Sequence, residues 1–252
     1  MHIKKFIYIL IFTYLLLLFA VWFLPVQFTA CSKDDWWCAI AYWLTESAGK
    51  WGTLFIVVAA SFFYTFRASL IIQKMKIFGK SIFSIAILLG IVAFFNEHVL
   101  KELLEVARPS HTFIIEQSGI ANGLDSLYQL NEEGRTLFLS HAIDEHQEVF
   151  LSFDSNVLSH WIEEVGYSFP SGHSCNAFLL AYILAYSMFH SRNKKVQLFY
   201  ALPFAWAIMV GVSRVAIGAH SAFDVSIGAA IGLLVAASFL YFSVTKKLIH
   251  PL

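Results

Sequence analysis

The chain has 252 residues, of which 58% are hydrophobic and 13% charged, and its mean hydropathy is +0.67. A soluble domain carries about a quarter charged residues, so this balance excludes an ordinary soluble globule and points to the membrane class. The net charge of zero says little, because the two signs are segregated along the chain.

Six apolar stretches come close to the roughly 17–25 residues that a helix needs to cross a bilayer. They fall near residues 6–24, 53–72, 82–95, 174–189, 196–212 and 223–244. The first has a basic start, as a signal peptide does, and Phe28-Thr29-Ala30-Cys31 has some likeness to a lipoprotein cleavage site. It lacks the usual Leu before the Cys, and the apolar run is longer than most signal cores, so a retained helix is expected. Cys31 and Cys38 follow in a loop over 25–50, beside Trp36-Trp37. A disulfide and two unpaired thiols are both compatible with that position.

The third stretch is short, but Asn96-Glu97-His98-Val99-Leu100 extends it toward the interface. The connection that follows, 103–166, is too polar to span and too long for a bare loop. Its patterns over 134–150 and 155–164 predict short amphipathic helices, with Gly119 and Gly123 as breaks, and hence a small α-helical cap. The cap holds His111, His141, His146 and His160 among carboxylates. His141 and His146 would lie about 140° apart around a helix, which suits a solvated acidic surface better than a shared metal. Cys175, alone at the start of the fourth stretch, reads as a packing residue. In the last stretch Gly228 and Gly232 give a small-xxx-small spacing that favours close helix approach.

Orientation follows from Lys and Arg. Lys4 and Lys5 precede the first helix, and Lys74, Lys76 and Lys80 separate the second and third. Arg192, Lys194 and Lys195 separate the fourth and fifth, and Lys246 and Lys247 follow the sixth. With six alternating helices these all fall on one side, which is expected to be cytoplasmic, with both termini. The acidic residues fall elsewhere: Asp34, Asp35 and Glu46, the run from Glu97 to Glu164, and Asp224. The expected architecture is all-α and polytopic: an integral membrane domain from 1–102 and 167–252, with the cap over 103–166.

Three short runs carry the polar chemistry. They are Lys101-x6-Arg108-Pro109, Pro170-Ser171-Gly172-His173, and Ser213-Arg214-x5-His220-x3-Asp224. His220 and Asp224 share a face if the last helix starts early, so the carboxylate would fix the imidazole tautomer and leave the other nitrogen free to attack. The planar fork of Arg214 suits two phosphate oxygens. Ser171, Gly172 and the amides of a helix start form an anion seat, with His173 as a candidate general acid. Lys101 and Arg108 are about two turns apart and would face one side if helical. In this topology all three runs lie at the external ends of their helices and would converge in one interfacial layer. Glu164, six residues before Pro170, is a candidate head-group contact or a partner for a site cation. Glu97 would pair with Lys101 at i,i+4.

These spacings match the signature of the type 2 phosphatidic acid phosphatase superfamily, which the chain resembles in all three runs. The resemblance implies a metal-independent phosphatase with a helical core and no cofactor. By motif position it implies that His220 attacks phosphorus, Asp224 orients it and His173 protonates the leaving group. Lys101, Arg108, Ser171, Gly172 and Arg214 would hold the phosphoryl oxygens. The layout, with the region Tyr42-Trp43-Leu44-Thr45-Glu46, is similar to the bacterial lipid-phosphate phosphatases of that superfamily. It implies a multi-pass protein of the bacterial inner membrane, with the site on the periplasmic or external side. The implied partners are lipid phosphates in the bilayer: phosphatidylglycerol phosphate, undecaprenyl diphosphate, diacylglycerol diphosphate and phosphatidic acid. No nucleic acid and no obligate protein partner is expected. The same residues would serve a narrower lipid A phosphatase or phosphotransferase. A transporter would instead place ionisable groups at mid-membrane depth, where these stretches have almost none.

Overall fold

A computed structural model describes residues 2–25, 31–66, 68–191 and 193–245. Arg192, Lys246, Lys247 and the Phe28-Thr29-Ala30 run lie outside the described residues. The first apolar stretch forms α1 (His2–Phe23), and a helix that the pattern did not predict, α2 (Trp36–Glu46), follows it. Asp35 caps α2 by accepting from the Trp37 amide at 2.9 Å, which is the local signal for its start. Next come α3 (Lys50–Thr65) and α4 (Ile71–Phe95), which runs on through a π-helical turn (Asn96–Leu100) into α5 (Lys101–Leu104).

The second stretch therefore ends earlier than its hydropathy suggests. Ile71 and Ile72 open α4, and Lys74, Lys76 and Lys80 lie in its first turns rather than in a loop. Ile71, Ile72, Met75, Ile77 and Phe78 carry an apolar pattern straight through those lysines.

Residues 105–171 hold α6 (Pro109–Ser118), α7 (Gly123–Tyr128), α8 (Glu132–Glu145), α9 (Gln147–Phe150) and α10 (Ser155–Glu163). The helix expected over 134–150 is broken at His146. Gly119 closes α6 in the left-handed region at φ 63°, which a side chain would resist. The chain then enters α11 (Gly172–Phe189), the short α12 (Lys194–Gln197), α13 (Leu202–Ala216) and α14 (Ala222–Thr245).

Among the described residues, four segments are long and apolar enough to cross a membrane: Lys5–Phe23, Ile71–Leu104, Lys194–Ala216 and Ala222–Phe242. The other two predicted spans are the 16-residue α3 and the 18-residue α11. Phe12, Phe55, Phe83, Phe94, Leu234 and Phe242 are exposed on these helices, a large apolar surface that lipid would cover. The chain is an all-helical, multi-pass membrane protein.

The sequence of α11 explains its central place. Ala177, Phe178 and Ala181 pack against Leu17, Phe204 and Val225 of α1, α13 and α14. Its opposite side, through Leu179, Leu180 and Ile183, packs against Val57, Ile85, Leu89 and Ala236 of α3, α4 and α14. A third cluster joins Ile114, Leu127, Leu139, Phe150 and Trp161 to Ile217, Ala219, Cys31 and Cys38. Cys31 and Cys38 form a disulfide, which resolves the alternatives left open by the sequence. The N–H of Lys33 bonds the Ser152 carbonyl at 2.9 Å, and the Trp161 indole donates to the Ile217 carbonyl. Segment 105–171 is thus seated on the turn after α13 and on the disulfide loop.

The two glycines in α14 set its distance from α11. A Cβ at Gly228 would stand 2.4 Å from the Ser171 carbonyl oxygen, and one at Gly232 would stand 2.2 Å from that of Cys175. Both obstacles are backbone, so the helices would have to separate. Gly232→Ala is expected to destabilise the protein by about 1–3 kcal/mol, read as a lower melting temperature in detergent. Gly79→Ala, where nothing lies within 4 Å of the new Cβ, should melt with the wild type.

Candidate active site

The three sequence runs meet where the end of α5, the start of α6, the start of α11 and the turn from α13 to α14 come together. Arg214 sits in the last turn of α13, fully buried, rather than beyond its end. Its Nη1 donates to His160 Nε2 at 2.8 Å, and its Nη2 donates to Glu164 Oε2. Arg108 is not on the same helix as Lys101. The helix ends at Leu104, Glu105 turns the chain at φ 47°, and Arg108 is the N-cap of α6. From there Arg108 Nη1 reaches the same Glu164 Oε2 at 2.7 Å and the Ala219 carbonyl at 3.1 Å. Its Nε donates to the Gly166 carbonyl at 2.8 Å. Two guanidinium groups therefore converge on one carboxylate oxygen.

Glu164 is thereby placed at the heart of the cationic cluster, as a partner for site cations. Burial pushes its carboxyl up, but Arg214 and Arg108 outweigh that and hold it well below the usual range. Its Oε1 also lies 3.4 Å from His160 Nε2 and 3.7 Å from His173 Nδ1. Lys101 is buried and ion-paired with Glu97 at 2.8 Å, the i,i+4 contact expected from the sequence. Glu97 in turn lies against the start of α11: its Oε1 is 3.4 Å from where a Gly172 Cβ would stand. Gly172 leaves room for that side chain and for Asn96, whose Nδ2 donates to the Pro170 carbonyl at 3.4 Å.

Ser171 is the N-cap of α11 and accepts from the Ser174 amide at 3.4 Å. His173 follows in the first turn and is 21% exposed, far more than His220 at 1%. It lines a cleft of about 380 Å³ between α3, α4 and α11, with Lys50, Leu89, Val92, Asn96 and Gly172 among its other walls.

His220 and Asp224 come together differently from the expectation. The helix starts at Ala222, so His220 precedes it and only Asp224 lies in its first turn. Asp224 Oδ2 accepts from the Ser221 amide at 2.7 Å, and the Asp224 amide donates to Ser221 Oγ at 3.2 Å, which closes the turn. His220 Nδ1 stands 3.7 Å from Asp224 Oδ2, beyond hydrogen-bond length. Ser168 fills that gap: its hydroxyl donates to Asp224 Oδ2 and lies 3.2 Å from His220 Nδ1. On the other edge of the ring, Nε2 faces the guanidinium of Arg108 at 3.5 Å. A guanidinium only donates, so Nε2 carries its lone pair and Nδ1 the proton. Burial holds the imidazole below its ordinary value; the Asp224 contact raises it, and the Arg214 and Arg108 charges lower it further. Burial and the two arginine charges favour the neutral ring, and in this tautomer the Nε2 lone pair faces Arg108.

Residues outside the three runs also take part. His160 belongs to the cluster of cap histidines read as a solvated surface, yet it is buried and supports Arg214. Glu46 Oε1 stands 3.7 Å from His160 Nδ1, and Thr45 Oγ1 lies 2.9 Å from Ser213 Oγ. The only sequence signal for these two was the Tyr42–Glu46 region. His111, also buried, has its Nδ1 at 2.8 Å from the Tyr128 hydroxyl, and that hydroxyl accepts from the Arg108 amide at 3.1 Å.

A buried arginine pair beside a fixed histidine, with a second histidine at a cleft, is a set of groups able to bind and transfer a phosphoryl group. Comparison with known sequences gives the family. The PAP2 superfamily pattern matches residues 79–248, more than half of the chain, and the chain belongs to that superfamily. It is 38% identical over 96 residues to phosphatidylglycerophosphatase B of Bacillus subtilis (strain 168), covering 32% of this chain and 46% of that one. It is 25% identical over 189 residues to phosphatidylglycerophosphatase B of Escherichia coli (strain K12), covering 75% and 69% respectively. The match to the Bacillus protein thus spans about half of that relative's length.

The buried histidines of segment 105–171 generate a pH dependence. Burial first, then the charge of Arg108, pushes His111 down to about 3, and burial with Arg214 pushes His160 down to about 4. An unfolded chain takes up these protons near the ordinary value of about 6.5, and the folded chain does not. Their contribution to stability is therefore complete above that value and is lost as pH falls toward 4. The melting temperature in detergent should fall between pH 7 and pH 5, and His111→Asn should make that fall shallower. An unchanged slope in the variant would remove His111 from the account.

Proposed function

We propose that the chain is a lipid-phosphate phosphatase that works through a phosphohistidine on His220. The observation that carries this reading is the orientation of His220. Its Nδ1 is committed to the Ser168–Asp224 side, and its Nε2 lone pair lies beside a guanidinium that shares its acceptor with a second one. A phosphoryl group held by Arg108 and Arg214 would present phosphorus to Nε2. The arginines, with the first-turn amides of α11 and Lys101, would stabilise the charge of transfer.

In the first step the Nε2–phosphorus bond forms and the bond to the leaving oxygen breaks, while His173, entering as the imidazolium, delivers a proton to that oxygen and becomes neutral. In the second, His173 takes a proton from water, whose oxygen attacks phosphorus, and the bond to Nε2 breaks to release phosphate. The reaction consumes one water and needs no other reactant.

The cleft supports a lipid as the substrate class. Leu89, Val92 and Ala93 line it on the face of a helix that is apolar enough to span, and it ends at Gly172 and His173. Acyl or prenyl chains would remain among the helices while the phosphate reaches the arginines. Phosphatidylglycerol phosphate and undecaprenyl diphosphate are the favoured substrates, with diacylglycerol diphosphate and phosphatidic acid also accepted. The two similar proteins bear the name phosphatidylglycerophosphatase B, which agrees with this choice. Glu164 would contact the lipid head group through the cluster it already occupies.

The charge pattern supports sidedness. Lys74, Lys76 and Lys80 open α4, whose continuation carries Lys101 at its far end, and Lys194 and Lys195 stand ahead of α13, which carries Arg214 in its last turn. With six spans and the lysines in the cytoplasm, the site faces the periplasmic or external side of the bacterial inner membrane.

The test is phosphate release from a panel of these lipids by purified protein, with and without EDTA. Chelator should leave turnover intact, and His220→Ala should lower it at least about a thousandfold. Loss of activity to EDTA, or a working His220→Ala protein, would overturn the mechanism.

A further inference from the structure

Ser168 belongs to none of the three sequence runs, yet it occupies the contact on which the nucleophile depends. Its side chain is fully buried, and its amide donates to the Val106 carbonyl at 2.8 Å, which fixes it to the strand of chain leading into Arg108. The direct approach of His220 Nδ1 to Asp224 Oδ2, at 3.7 Å, is too long for a hydrogen bond. The hydroxyl of Ser168 lies between them, bonded to Asp224 Oδ2 and 3.2 Å from His220 Nδ1. A hydroxyl has one proton to give and two lone pairs. The proton goes to the carboxylate, so the oxygen accepts from Nδ1–H.

We infer that Ser168 is a positioning residue that couples Asp224 to His220 and sets the tautomer and angle of the attacking ring. No bond to Ser168 is made or broken. Nδ1 keeps its proton and Ser168 keeps its own, while the chain Nδ1–H···Oγ–H···carboxylate strengthens as positive charge develops on the ring during attack. The carboxylate does not depend on Ser168 for its place, because the Ser221 amide holds Oδ2 at 2.7 Å. Removal of the hydroxyl therefore leaves Asp224 where it is and frees His220 to rotate or to shift toward it. A displacement on the order of 1 Å at a reacting atom is worth about a hundredfold in rate. The arginines and the cleft are untouched, so substrate binding should hardly change.

This inference rests on the phosphatase reading, and the experiment separates the two. Wild type, His220→Ala, Ser168→Ala, Asp224→Asn and the Ser168→Ala/Asp224→Asn double variant are assayed for phosphate release from phosphatidic acid and phosphatidylglycerol phosphate, with melting temperatures in the same detergent. Ser168→Ala should lower kcat about a hundredfold with KM within about threefold, and melt within a few degrees of wild type. In the Asp224→Asn background the same substitution should cost less than about threefold, because both residues act through one ring. A Ser168→Ala enzyme within threefold of wild type overturns the relay, as does full additivity with Asp224→Asn. Where Ser168→Ala melts much lower, Ser168→Cys decides: a rate between those of Ser and Ala supports the relay, and a rate equal to that of Ala overturns it. A wild-type protein that releases no phosphate, or an active His220→Ala, strikes the phosphatase reading itself and the relay with it.

Discussion

Two guanidinium groups buried within a few ångströms of each other repel, and desolvation makes each of them unstable alone. Arg108 and Arg214 are both in this position, and the single carboxylate of Glu164 holds them together. That contact ties three regions of the chain. Arg214 lies in the last turn of α13 in the membrane bundle, Arg108 caps the start of α6, and Glu164 follows the last residue of α10. The fold of segment 105–171 is thus more than a covering layer, because it supplies the anion that lets the bundle's own arginine be buried. His160, one turn before Glu164, adds a neutral acceptor to the same guanidinium. Removal of either partner would leave an uncompensated buried charge, a change that is far more harmful than loss of an exposed ion pair.

The same requirement for fixed polar atoms explains the tight packing of α11 on α14. Ser171 and Asp224 are joined through their backbones, the Ser171 amide donating to the Asp224 carbonyl at 3.1 Å. Gly228, one turn into α14, permits the approach by keeping Cβ away from the Ser171 carbonyl. The glycine spacing that looked like a general membrane-helix feature therefore positions the helix start that carries His173 against the helix start that carries Asp224. Geometry at the site is set by the backbone contact of two helices, and such contacts are stiffer than side-chain contacts.

Much of this was legible in the sequence, and the limits were physical. The all-helical, membrane-embedded class followed from hydropathy, and the three motif runs stood out because ionisable residues are rare in such a chain. Boundaries were poorer. The lysines at 74, 76 and 80 looked like a loop, but long side chains on a helix end can reach water while the backbone stays helical. The helix α2 was read as part of a loop, although Asp35 marked its start. Ser168, His160, Glu46 and Thr45 left almost no trace as site residues, because their roles arise from contacts between segments that are distant in sequence. A serine two residues before a proline has no spacing signature. Only the tertiary gap between His220 and Asp224 gives it one.

Depth orders the two histidines. His220 is sealed behind Arg108 and the Ala219 turn, whereas His173 stands on the wall of the cleft. A nucleophile gains from being sealed, since a neutral ring with one fixed tautomer neither picks up a proton nor turns away. An acid that must protonate a leaving group, and later deprotonate water, gains from standing where both can reach it. In-line attack requires the leaving oxygen to lie opposite the incoming nitrogen. In the proposed mechanism, with nitrogen on the buried side, the leaving oxygen and whatever is attached to it would point toward the cleft between α3, α4 and α11. On that reading, the burial of His220 behind its arginine would direct the departing group toward the cleft whose walls include Leu89, Val92 and Ala93.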